Sequence, residues 1–85
     1  MENRVTLMQR ISNLVARYNY LNQESTDGSL YKNGVDEMNS LFSDIGLLVE
    51  KWISIDPDVT DACIAEDRYG FIKIDVYESE PELEH

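Results

Sequence analysis

The chain has no long apolar run, few bases, one histidine and one cysteine, and each shortage removes a class of function. No stretch approaches the ~18 consecutive apolar residues that span a bilayer. The segment Met1-Glu2-Asn3-Arg4 lacks the basic and apolar regions of a signal peptide. A lone Cys63 cannot close an internal disulfide, so a reducing, cytoplasmic setting is expected. Seven bases stand against 17 acids, a formal charge of −10. Nucleic acid and anionic membranes both demand clustered Lys and Arg, so neither is an expected direct partner. A charge of this sign favours solubility and steering towards a basic protein, nucleic-acid-binding proteins included.

The lone histidine closes the sequence. Leu83-Glu84-His85 looks like the first residues of a vector-encoded tag, so the expected unit is one acidic domain over 1–82 with a tag remnant at 83–85. Without His85 there is no imidazole base, which removes Ser-His and Cys-His nucleophilic schemes. Gly28, Gly34, Gly46 and Gly70 are scattered and form no phosphate-cradling loop. Asp56 and Asp58 match the first two ligands of a calcium loop, but Thr60 takes the third place. Asp61 then replaces the turn glycine, and Arg68 stands where the bidentate glutamate belongs. These carboxylates read as caps and loop acids beside Pro57, and no metal or cofactor is expected. Cys63, with Arg68 its nearest base, reads as a small buried hydrophobe.

What the chain does have is two matched apolar stripes. Leu7, Ile11, Leu14, Tyr18 and Leu21 recur at alternating steps of four and three, and so do Met38, Leu41, Ile45, Leu48, Trp52 and Ile55. That spacing marks one apolar face on each of two helices, which can bury against each other. The first helix is expected from Glu2 or Asn3 to Asn22, followed by a polar turn through Gln23–Gly28 in which Asp27-Gly28 is the strongest punctuation. The second is expected to start at Asn33 as cap, with Ser29 as the alternative that leaves Gly34 inside the helix at a cost near ~1 kcal/mol. It must stop before Pro57, because a residue preceding proline is pushed out of helical geometry.

A short connection makes the helices antiparallel. Arg10 and Arg17 then face Glu37 and Asp44 along one edge, an ion-pair ladder worth under ~1 kcal/mol per rung if exposed. Met8, Val15, Phe42 and Val49 make the other edge apolar and demand cover. The C-terminal third supplies it: Ile72, Ile74 and Val76 alternate with polar residues as a half-buried strand does. A single strand is unstable, so Ala62–Glu66 is expected to pair with it through a turn at Asp67–Gly70. The expected fold is therefore α+β, an antiparallel helical hairpin packed on a small C-terminal β-hairpin. The alternative makes 57–69 a third helix and pairs the last strand across a dimer.

The clues to binding are aromatic and acidic. Five tyrosines fall in this small chain, and tyrosine suits interface centres because it buries a large rigid area and keeps a polar handle. Tyr18 belongs to the helix stripe and Trp52 to the core. Tyr20, Tyr31, Tyr69 and Tyr77, with Asp58, Asp61, Glu66 and Asp67, are the expected partner-binding residues. Glu78, Glu80, Glu82 and Glu84 form a tail that reads as a solvated terminus, with imitation of nucleic-acid phosphates as the sharper reading. The expected activity is non-enzymatic: a stoichiometric inhibitor, immunity or antitoxin-like protein of bacterial or phage type acting on a basic partner. The alternative is a homo-oligomeric structural or assembly factor.

Overall fold

The structure, a computed structural model, describes residues 3–26, 28 and 32–78. The tag-like 83–85, the acidic tail past Glu78, Tyr31 and the alternative cap Ser29 lie outside the described residues. The elements run α1 (Arg4–Thr26), α2 (Lys32–Ile55), β1 (Val59–Glu66) and β2 (Ile72–Glu78). Residues 57–69 are therefore not a third helix: they open a β-hairpin that packs on the helical hairpin.

Helix α1 begins where Asn3 caps it, its Oδ1 accepting the Thr6 N–H at 2.9 Å while its carbonyl accepts the Leu7 N–H at 3.0 Å. It runs past the expected end at Asn22 as far as Thr26. The polar residues Gln23 to Thr26 suit a helix's solvent side as well as a turn. The stop comes at Gly28, whose φ of 77° L side chains rarely adopt and whose N–H bonds the Ser25 carbonyl. Helix α2 starts at Lys32, so Asn33 lies inside the helix rather than capping it, and Gly34 is helical. Burial of Leu41, Ile45 and Val49 along the same face outweighs the ~1 kcal/mol cost of one helical glycine.

Asp56 ends α2 and turns the chain into β1. It is the buried acid among the described residues, 4% exposed. One carboxylate oxygen accepts the Trp52 indole N–H at 3.0 Å and the other the Asp58 N–H at 3.0 Å, with Arg4 at 3.7 Å. A charged group held by two donors and a cation can be buried where a bare one could not. The carboxylate thus joins the start of α1, the end of α2 and the start of β1.

The two helices are antiparallel: Arg17 of α1 meets Glu37 near the start of α2, while Arg4 meets Asp56 after its end. The Arg17 guanidinium grips Glu37 through two bonds, 2.7 and 3.2 Å. This bond raises the Arg17 pKa and lowers that of the Glu37 carboxyl. Arg10 and Asp44 line a groove on the same edge with Asn13 and Leu47. Between the layers, Leu7, Ile11, Ile45, Val49, Trp52, Val59, Ala62 and Ile72 form the core. Leu14, Val15, Tyr18, Leu48, Ile64, Ile74 and Val76 pack against it. The apolar edge is only partly covered. Val49 is buried and Val15 packs on the core, but Met8 and Phe42 stay 45% and 42% exposed. A sheet of two strands is too narrow to shield the whole edge, and Phe42 instead leans on Tyr18 with ring centres 6.0 Å apart.

In the sheet, antiparallel pairing runs from Glu66↔Ile72 to Asp61↔Tyr77, with Thr60 as the extra residue of a bulge before Val59↔Glu78. The bulge resets the alternation, so Val59 and Ala62 both face the core. Cys63, opposite Asp75 and alternating with Ala62 and Ile64, is exposed on the outer face, and the expectation of a buried thiol is corrected. The turn closes through Gly70 N–H to the Asp67 carbonyl, 3.1 Å, with Gly70 at φ 89°. Two asparagines of α1, one helical turn apart, hold this end of the hairpin. Asn19 accepts the Ile72 N–H at 2.8 Å and donates to its carbonyl at 2.9 Å, and Asn22 donates to the Tyr69 carbonyl at 2.9 Å. A Cβ at Gly70 would stand 2.7 Å from Asn22 Oδ1.

Three outcomes follow from this packing. Asp56→Ala, which strands the Trp52 N–H, is expected to cost about 1.5–3 kcal/mol in urea unfolding, and Asp56→Asn clearly less. Asn19→Ala leaves both Ile72 main-chain groups without their partner and is expected to cost about 1–3 kcal/mol, read from the same unfolding midpoints. Cys63 in the native protein is expected to react with an aromatic disulfide reagent within roughly an order of magnitude of the unfolded chain's rate; protection by a hundredfold or more would contradict its outward placement.

Candidate interaction surface

Strand alternation separates the hairpin into two faces. Ile72, Ile74 and Val76 go inward, so Lys73, Asp75 and Tyr77 go outward, beside Asp61 and Cys63 of β1. No element covers this outer face among the described residues, because both helices pack on the inner one. It carries a compact group of functional side chains. Tyr77 is 54% exposed, and its phenol pKa is raised, first by the field of Cys63, then by Asp75 and by a hydrogen bond with Cys63. Asp61 adds a smaller contribution of the same sign. Lys73 lies 3.7 Å from Asp75 on the same strand. The result is an exposed aromatic ring and thiol flanked by two carboxylates, with one lysine at the rim.

A second group occupies the hairpin tip. Tyr69 is 67% exposed, with the Arg68 guanidinium 5.5 Å above its ring. Asp67 shares the turn but is committed locally, its Oδ1 accepting the N–H groups of Tyr69 at 2.8 Å and Phe71 at 3.1 Å. Glu66 lies close enough to Tyr18 that its charge, after burial, raises that phenol's pKa.

The eight residues singled out in the sequence therefore do not form one patch. Asp61 and Tyr77 lie together on the outer face, and Glu66, Asp67 and Tyr69 at the tip, which begins five residues along β1 from Asp61, roughly 17 Å away. Asp58 sits at the opposite end, 3.5 Å from Arg4. Tyr20 belongs to the surface of α1, where Arg17 lies 5.5 Å over its ring and Glu24 accepts its hydroxyl, raising the phenol's pKa. Tyr31 is outside the described residues. Lys73, Asp75 and Cys63 are the members of the outer face that residue type alone did not suggest. Alternation about Ile74 was the available signal for Asp75, and alternation about Ile64 was the signal for Cys63, which pairs with Asp75.

Chemically, the surface offers main-chain and phenolic hydrogen bonding, an accessible thiol and negative charge. Among the described residues, no group of three His, Cys, Asp or Glu side chains is placed to hold a metal ion, and no helix is long and apolar enough to cross a membrane. Comparisons with protein-family models, with curated proteins and with solved structures find no match to this chain.

Proposed function

We propose that this protein is a non-enzymatic binding module of the cytoplasm that acts stoichiometrically on a basic protein, in the manner of an inhibitor, immunity protein or antitoxin. The observation that carries the reading is the outer face of the hairpin, where Tyr77 stands exposed between Asp61 and Asp75 on a chain of net charge −10. A rigid, half-wet aromatic supplies buried area on docking, and the flanking carboxylates select a partner bearing Lys or Arg. Tyr69 at the tip extends the same chemistry along the hairpin. The helices serve as the rigid platform that presents both.

The test is capture by the immobilised protein followed by elution in increasing salt. A basic partner is expected to be retained at low ionic strength and released steeply towards moderate salt, as the Debye length shrinks from about 30 Å to about 10 Å. Tyr77→Ala and Tyr69→Ala are each expected to weaken retention of that partner by about tenfold, while Tyr20→Ala leaves it nearly unchanged. Retention that ignores salt and both tyrosines would overturn the reading.

A further inference from the structure

The free edge of β2 has a feature that its outer face does not explain. The Asn19 amide donates to the Ile72 carbonyl and accepts from the Ile72 N–H, 2.9 and 2.8 Å. That donor–acceptor pair is the one a peptide group presents, so Asn19 stands where the first residue of a third strand would pair. Antiparallel ladders turn alternate residues towards and away from the neighbouring strand. Because Ile72 points its main-chain groups away from β1, Ile74 and Val76 do so too. Asn19 serves Ile72; beyond it, between α1 and β2, lies a groove of about 310 Å³. Met8, Ser12 and Val15 form its helix wall, Lys73, Ile74 and Val76 its strand wall, and Trp52 part of its floor. Met8 is 45% exposed there.

We propose that this groove is a strand-addition site that takes an extended partner segment alternating apolar and polar residues with a base opposite Asp75, paired by main-chain hydrogen bonds to Ile74 and Val76. Edge strands invite such pairing, in which the main chain supplies affinity and alternate side chains supply specificity. The occupant's chemistry follows from the two faces. Residues of an added strand that point inward meet Met8, Val15, Ile74 and Val76 and must be apolar. The residue opposite Asp75 points outward beside a carboxylate that Lys73 approaches at 3.7 Å. The molecule around that pair is strongly acidic, so a Lys or Arg fits opposite Asp75, while the neighbour opposite Lys73 must be uncharged. A second copy of this chain suits the site less. The register centred on the open pair Ile74 and Val76 sets Asp75 opposite its own counterpart, and each copy carries −10. The site stands on the strand edge rather than on the tyrosine face, so failure of the tyrosine variants above leaves it untouched.

The experiment titrates the full chain with a capped nine-residue peptide, Gly-Val-Lys-Val-Lys-Val-Thr-Val-Gly, whose central lysine meets Asp75 and whose threonine meets Lys73 in antiparallel pairing, followed by amide shifts in nitrogen-15 NMR and by calorimetry. The amides of Ile74 and Val76 are expected to shift most. N-methylation of alternate peptide residues, in either phase, keeps the side chains and removes hydrogen bonds; the phase facing β2 is expected to weaken binding by at least about tenfold and the other phase little. Replacing both lysines with glutamates is expected to abolish binding. Val76→Pro deletes an edge donor that does not serve the ladder to β1, and is expected to cut affinity while circular dichroism stays unchanged. Should that variant fail to fold, the N-methylated peptides decide alone. Equal binding of both N-methylated forms, or shifts confined to the outer face, would overturn the proposal. Concentration-dependent shifts of Ile74 and Val76 without peptide would also overturn it, by assigning the groove to a second copy.

Discussion

A two-stranded sheet has too little buried surface to hold itself together in water, and the architecture is organised around that constraint. Its inner face must lie on something, and the helical hairpin presents Ile11, Ile45, Val49 and Trp52 to it. Apolar burial is non-directional, so packing by itself would let the hairpin slide or rotate on its platform. Directional bonds remove that freedom. Asn19 and Asn22 seize the main chain at Ile72 and Tyr69, beside the turn, and Asp56 ties the opposite end to Trp52 and to the start of β1.

With both ends held, the middle of β2 is left free along its outer edge. The helix pair is wider than the sheet that covers it, so Met8 stays exposed and a groove remains between α1 and Ile74 and Val76. The same narrowness leaves the outer face open. Scaffold and surface are thus two consequences of one geometry: the residues that secure the hairpin are buried or bonded, and those it presents are tyrosines, acids and an open strand edge.

Much of the fold was legible from local pattern. The alternating three–four spacing located both helices, the proline at 57 marked where α2 must stop, and Ile72, Ile74 and Val76 announced a half-buried strand. The Arg17–Glu37 pair was legible too, since antiparallel helices bring matched edges together at a fixed register. The end of α1 was not, because a run such as Gln23 to Thr26 is polar whether it forms a turn or a helix's wet side. The exposure of Cys63 was legible from alternation about Ile64, although residue type alone reads a lone cysteine as a small buried hydrophobe. What stayed hidden was the inward turn of Val59: one extra residue at Thr60 shifts the phase at the start of the strand, and nothing in the residue types marks a bulge there.

The candidate surface was legible only in its ingredients. Exposed tyrosines and acids could be named from the sequence, but Tyr20 is occupied by Arg17 and Glu24, and Asp67 by its own turn. The clustering of Tyr77 with Cys63, Asp61 and Asp75 depends on cross-strand register. By itself the sequence determined the two helices, the last strand and their apolar faces, because periodicity and proline act within a few residues along the chain. The choice of strand over helix at 59–66 rested on the partner that the last strand needs. Only the tertiary structure decided which polar groups bind the chain and which remain for a partner. Asn19 lies 53 positions before the Ile72 main chain it clasps, and no local pattern carries information across that distance.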